Sequence, residues 1–216
     1  STPQSALHAV WQDAGAKPTG SWPELFGAYA GECLNAWTIA HYIDYVAQAG
    51  KAVYPLPMYA NVWKGEQFFR LPGDYPSGGA VGRVLDIWKW SAPHLDLIAP
   101  DIYTQDSAGY REFCATYARE DNPLFVPESG SAGSNAWLMM YALAQYGAIG
   151  YASFGVEHIL GPDGEVVPPA AQLVDSYRAV VEAIPLLLRY QGTQQVQAIV
   201  QEENQGEQFL DMDGWL

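Results

Sequence analysis

The feature that most constrains this chain is the way its apolar spacing switches between two periods along the sequence. A helix-type stripe through Ile39, Tyr42, Ile43 and Val46 stops at Gly50, a residue type suited to a helix C-terminal cap. A strand-like run, 53–62, follows. Helical spacing returns at Val81, Val84, Leu85 and Trp88 and ends before Pro93, because the residue ahead of a proline is driven out of helical geometry. Leu97 to Tyr103 then reads as a buried strand. Asp106 is placed to cap a helix whose inner face is Tyr110, Phe113, Cys114 and Tyr117. Leu124 to Val126 predicts a short strand closed by Pro127. One more round follows, with Trp137, Met140, Tyr141 and Ala144 as helix and Ala148 to Phe154 as strand. A last helix centred on Leu173, Tyr177, Val180, Val181 and Ile184 precedes a polar tail, in which Gln195 to Val200 reads as one extra strand.

Alternating helices and short apolar strands argue for an α/β fold with a parallel sheet and right-handed crossovers. Four such strands are visible in 216 residues. A complete (β/α)8 barrel takes about 250 residues and eight strands, so the chain fits half of one, or a small open sheet. No G-x-G-x-x-G or P-loop pattern opens any helix, which counts against nucleotide binding. Periodicity alone leaves the two architectures open.

Composition narrows the partners. Lys and Arg total 10 against 24 Asp and Glu, a net charge of −14, which repels phosphate backbones and anionic lipid. No apolar run approaches the roughly 20 residues of a membrane-spanning helix. The two cysteines, Cys33 and Cys114, fall in helix-like segments outside any C-x-x-C pair and read as buried filler. The compartment stays open. His8, His41, His94 and His158 show no metal-ligand spacing, and no G-x-S-x-G elbow marks a serine hydrolase. His41 falls within a helix, while His158 neighbours a strand end. Ser1 follows no initiator Met or signal-like segment, and both ends read as cut.

In parallel α/β architectures ligands bind at the carboxyl ends of the strands. Those ends carry Tyr59, Asn61 and Trp63; Asp101 and Tyr103; Glu128 and Ser129; and Ser153, Phe154, Glu157 and His158. Carboxylates and amides among aromatic rings suit a sugar, whose apolar faces stack on rings while its hydroxyls need polar partners. Aromatic residues are also ordinary core filler. Glu128, delivered to the rim by Leu124-Phe125-Val126-Pro127, is the sharpest candidate for catalysis; a surface or helix-capping glutamate is the competing reading. Asp101 follows Pro100 in the same way, as a substrate contact or as a structural carboxylate bonded to loop amides.

Four blocks then carry a resemblance. They are AGKAVYPLPMYANVW (49–63), PGDYPSGG (72–79), APDIY (99–103) and PLFVPES (123–129). In this order, over most of residues 20–190, they resemble bacterial β-galactosidase-like glycoside hydrolases of clan A, in the neighbourhood of families 35 and 42. The resemblance implies a (β/α)8 barrel cleaving β-glycosides with retention, without metal or cofactor. It numbers the four strands five to eight and puts Glu128 at the nucleophile position ending strand seven. Asn61 and Tyr103 then fall on rim positions of the sugar subsite and Trp63 on its wall, and the strand-end residues Asp101 and Phe154 join them as candidate substrate contacts. An endo-β-1,4-glucanase on the same barrel, or a non-catalytic carbohydrate-binding remnant, are the alternatives.

One departure matters. The clan's acid/base glutamate follows an asparagine at the end of strand four, and no Asn-Glu pair occurs in this chain. Retention needs two carboxyl groups about 5–5.5 Å apart. Residues 1–191 thus read as a half barrel, which is a truncated product with a residual open fold, or is completed by a separate half or by a second copy in a homodimer. In a dimer Glu157, or Asp101, of the second copy is the substitute acid/base. Residues 192–216 read either as the start of a lost β-rich domain or as a disordered tail. The substrate expected is an oligo- or polysaccharide.

Overall fold

The computed structural model describes residues 5–63, 70–131, 133–203 and 205–211. They form a mixed α/β chain in two compact units, Ser1–Ile98 and Ala99–Leu216. Expectations about residues 1–4 and 212–216 lie outside the described residues. No described helix is long and apolar enough to cross a membrane.

The first unit holds helices α1 (Ala6–Asp13), α2 (Trp22–Phe26), α3 (Ala30–Val53) and α4 (Leu85–Ser91) and strand β1 (Tyr59–Trp63). Helix α2 is short and depends on its cap. Glu24 Oε2 accepts from the Ser21 amide at 2.9 Å and the Ser21 hydroxyl at 2.7 Å. The Ser21 amide, then its hydroxyl and then Lys17, pull the Glu24 pKa down to about 2. This anchoring is therefore present above the ordinary carboxylate range and lost as pH falls through about 2.

Helix α3 differs from its predicted orientation. Its buried face is Cys33, Ala36, Ala40 and Ala47, while Ile39, Tyr42 and Val46 face outward. These small side chains lie at helical spacing, and α3 packs against α2 and α4. Close approach of neighbouring backbones on an alanine face outweighs the bulk of the opposite stripe. Gly50 does not cap the helix; α3 runs on to Val53, and the Tyr54 amide donates to the Gly50 carbonyl at 2.9 Å. Strand β1 starts later than expected, at Tyr59, because Pro55 and Pro57 lack ladder donors.

A charge is buried at the start of α3. The Glu32 side chain is 0% exposed, and Arg83 Nη1 reaches its Oε2 at 2.8 Å. Tyr75 donates its hydroxyl to Glu32 Oε1, and Arg83 Nη1 also donates to the Tyr75 oxygen at 3.0 Å. The guanidinium lies 4.4 Å from the centroid of the Tyr29 ring. Burial, then the Glu32 hydrogen bond and charge, push the Tyr75 phenol far up. Burial opposes the charge on Arg83, but Glu32 outweighs it and the guanidinium pKa rises. This triad ties the segment around Tyr75 to α3. Gly78 completes the tie: its φ is +109°, and a Cβ there would meet Ile39 Cδ1 at 2.8 Å and Asn35 Cβ at 2.9 Å.

Strand β2 (Leu97–Ile102) leads into the second unit, followed by α5 (Ser107–Tyr117), β3 (Phe125–Val126), β4 (Glu128–Ser129), α6 (Gly133–Gln145), β5 (Gly150–Tyr151) and α7 (Ala171–Tyr190). The pairings are parallel, as expected. Asp101 lies opposite Glu128 and Ile102 opposite Ser129; Phe125 lies opposite Gly150 and Val126 opposite Tyr151. Segment 124–129 is thus one central strand, interrupted where Pro127 has no amide to donate. Backbone bonds from Ile149 to Leu124 at 2.8 Å, Ala152 to Val126 at 2.9 Å and Phe154 to Ser129 at 2.8 Å carry its contact with the β5 segment over the predicted length.

Helix α5 matches its prediction. Asp106 accepts from the Gly109 amide at 2.7 Å, and Tyr110, Phe113, Cys114 and Tyr117 are buried. Helix α6 is buried more widely than one stripe, with Leu138, Met139, Ala142 and Leu143 inside and Trp137 outside. On α7 only Leu173 is fully buried, and Val181 and Ile184 are exposed. Gln195 to Val200 forms no strand. Glutamine side chains occupy the tail's backbone acceptors instead, Gln208 on the Val200 carbonyl at 2.6 Å and Gln197 on that of Asp211 at 2.9 Å. Both cysteines are free and buried. Burial, followed by the charge of Glu32, pushes the Cys33 thiol up to about 12, and burial pushes Cys114 up as well, so both stay protonated filler.

Candidate functional site

The central strand decides where Glu128 stands. Parallel register sets it beside Asp101, and the period of two along β2 brings Tyr103 to the same side as Asp101. The Tyr103 hydroxyl donates to Glu128 Oε1 at 2.5 Å. Glu128 is half-buried and Tyr103 exposed along one edge, so the pair meets solvent. Partial desolvation, then the hydrogen bond and charge of Glu128, then the charge of Asp101, push the Tyr103 phenol well above its usual range. Tyr103 is therefore a proton-bearing donor at any physiological pH. Glu128 Oε2 makes no hydrogen bond among the described residues.

Beneath this pair lies a polar lock that sequence reasoning missed. Ser129 is fully buried; its hydroxyl donates to the Ile102 carbonyl at 2.7 Å and accepts from Tyr151 at 2.7 Å and from Asn135 Nδ2 at 3.3 Å. Asn135 Nδ2 also lies 3.4 Å from the Thr104 carbonyl. Together these bonds fasten the end of β2 to the end of β4 and hold the backbone under Glu128 still. Burial keeps the Tyr151 phenol protonated, so it serves as the donor to Ser129. Asn135 Oδ1 is buried without a partner among the described residues, and a Cβ on Gly130 would meet it at 2.8 Å. Glycine is required there by this close approach. The available signal was the polar pair Ser134-Asn135 opening an otherwise apolar helix, which reads first as a helix cap.

The predicted site residues separate into groups. Asp101, Tyr103 and Glu128 come together. Phe154 is exposed, and its amide is held by the Ser129 carbonyl at 2.8 Å. Glu157 lies on the short 3-10 turn Val156–Ile159, largely exposed, with Oε1 at 3.9 Å from His158 Nδ1. Asn61 and Trp63 sit on β1 in the first unit, both exposed. His41, also in the first unit, packs against Trp37 with ring centroids 4.4 Å apart and planes tilted by 52°, and His94 Nδ1 meets Asp44 Oδ1 at 3.0 Å. An apolar groove of about 660 Å³, lined by Ser153, Val156, Ile159, Tyr177 and Val181 among others, opens along α7 and does not include Glu128.

A half-buried carboxylate with one oxygen tethered by a phenol and the other open can act as a nucleophile, as a base, or as a bidentate acceptor for vicinal hydroxyls. Its neighbours supply a second carboxylate and aromatic surface. No family model and no curated protein matches the chain.

Proposed function

We propose that this chain carries the nucleophile half of a retaining β-glycosidase, with Glu128 attacking the anomeric carbon of a β-galactoside or related β-glycoside. The single observation that supports this most is the Tyr103–Glu128 hydrogen bond at a parallel strand end, with Oε2 left open. In the proposed step Oε2 bonds to the anomeric carbon as the bond to the aglycone oxygen breaks. That oxygen takes a proton from an acid, and water later releases the sugar with inversion a second time. The tether on Oε1 fixes the rotamer, and Asp101 and Phe154, of the same unit, are the proposed sugar contacts.

The acid is proposed to come from a second polypeptide completing a (β/α)8 half barrel, most simply a second copy contributing Glu157. The apolar side chains left exposed on α3 and α7 favour such a partner. Sizing of the purified protein by light scattering is expected to give a dimer; a monodisperse monomer overturns the completed barrel.

The nucleophile is tested without an acid by using a leaving group that needs no proton. A 2-deoxy-2-fluoro-β-galactosyl donor with a dinitrophenolate leaving group is expected to add one sugar mass to Glu128. Absence of that mass overturns the reading and favours a non-catalytic sugar-binding protein. Products from cellulose-like polymers against lactose separate an endo-glucanase from a galactosidase. Tyr103→Phe is expected to slow capture about 10–100-fold, the order associated with slight misplacement of a reacting group. Unchanged capture would remove Tyr103 from its positioning role.

A further inference from the structure

Three of the eight tryptophans gather at one place in the first unit. Trp22 on α2, Trp37 on α3 and Trp90 on α4 line a groove of about 420 Å³, with Phe26 and the hydroxyl residues Ser21 and Ser91 beside them. That volume lies within the roughly 300–1,000 Å³ of small-molecule sites, and the mix of aromatic walls with few polar groups is typical of them. The rings are tilted, not coplanar. Trp22 stands 5.6 Å from Phe26 at 33° and 6.2 Å from Trp37 at 52°. Rings so inclined form the walls of a hollow. Trp37 is 43% exposed and Trp90 73%, leaving much aromatic surface in water.

The indole N–H groups distinguish these tryptophans from Trp11 and Trp88 in the same unit. Trp11 donates to the Lys17 carbonyl at 2.7 Å and Trp88 to the Gly78 carbonyl at 3.0 Å. Trp22, Trp37 and Trp90 have no acceptor among the described residues. Among the described residues the groove lining contains no charged side chain. The nearby Glu24 is already engaged by Ser21 and by Lys17 at 3.4 Å. An ion therefore finds no counter-charge in the lining. A purely apolar ligand would cover donors without satisfying them, at about 1–3 kcal/mol each. A ligand with a flat apolar face and a rim of hydroxyl acceptors meets both demands.

We propose that Trp22, Trp37 and Trp90 form a binding site for a short neutral saccharide, separate in the sequence from the Glu128 strand end. The sugar's C–H face stacks on the indole rings, and its oxygens accept from the indole N–H groups. The site needs no catalytic group and stands whether or not Glu128 is a nucleophile.

The test uses the whole chain labelled with ¹⁵N, with the tryptophan indole signals assigned through Trp22→Phe, Trp37→Phe and Trp90→Phe. Lactose and cellobiose are titrated in turn, and cyclohexanol serves as the apolar control. Indole signals of Trp22, Trp37 and Trp90 are expected to shift with at least one disaccharide and far less with cyclohexanol. Trp90→Phe, an exposed change that spares the core, is expected to weaken the disaccharide about tenfold, as loss of the indole N–H donor together with part of the stacking surface does. Glu128→Gln is expected to leave this titration unchanged. Stationary indole signals, equal shifts with cyclohexanol, or full affinity in Trp90→Phe would each overturn the site. Sugar capture by Glu128 is read by mass, so failure of either proposal is seen separately.

Discussion

Glu128→Gln is expected to abolish covalent capture of a 2-fluoro glycoside, lowering its rate by about 10⁴-fold or more, since an amide is no substitute for an ionised nucleophile. The variant should fold. Glutamine keeps an acceptor oxygen for the Tyr103 hydroxyl, and Ser129, Asn135 and Tyr151 hold the backbone independently of the carboxylate. A second readout separates a local change from general damage. The negative charges of Glu128 and Asp101 disfavour the Tyr103 phenolate, after desolvation, and hold that phenol high. Removing one of them lowers the phenol pKa toward the ordinary value near 10. Alkaline titration followed by phenolate absorbance should therefore show one tyrosine ionising earlier in the variant than in the parent. Capture that persists in Glu128→Gln would assign the nucleophile elsewhere.

The largest expected effect on stability is at the opposite end of the sequence. Arg83→Met leaves Glu32 fully buried with Tyr75 as its remaining polar partner, and breaking a buried pair from one side costs about 3–5 kcal/mol. Guanidinium denaturation followed through first-unit tryptophan fluorescence should show a correspondingly earlier midpoint. Glu32→Gln combined with Arg83→Met should recover much of the loss, because no uncompensated charge then remains inside. A single variant with an unchanged midpoint would mean that the triad is replaceable by solvent.

The alternation of elements in the second unit was legible because its helices and strands obey simple patterns. Asp106 is a strong N-cap, Tyr110 to Tyr117 share one face, and the apolar run 97–102 has no competing helical period. Glu128 was legible for the same reason, as a carboxylate ending an apolar strand. Helix α3 departs from its pattern because hydrophobic bulk marks one stripe as the inner face, whereas the packing selects the alanine face for its closeness. Glu32 was invisible to periodicity: a buried carboxylate depends on Tyr75 and Arg83, which are distant in sequence and joined only by folding. Ser129 and Asn135 escaped for a related reason, since a small polar residue at a strand end or helix start reads as a turn or cap until its three-dimensional partners are known.

Because Glu128 belongs to a paired strand and Ser129 is bolted to its neighbour, the carboxylate takes its position from the sheet, with little help from the surrounding connections. On the proposed reading of Glu128 as a nucleophile, loop grafting beyond Ser131 and after Phe154 becomes a route to altered selectivity. Such chimaeras would be screened as libraries against a constant chemical warhead, with the carboxylate as the fixed origin from which every new contact is measured.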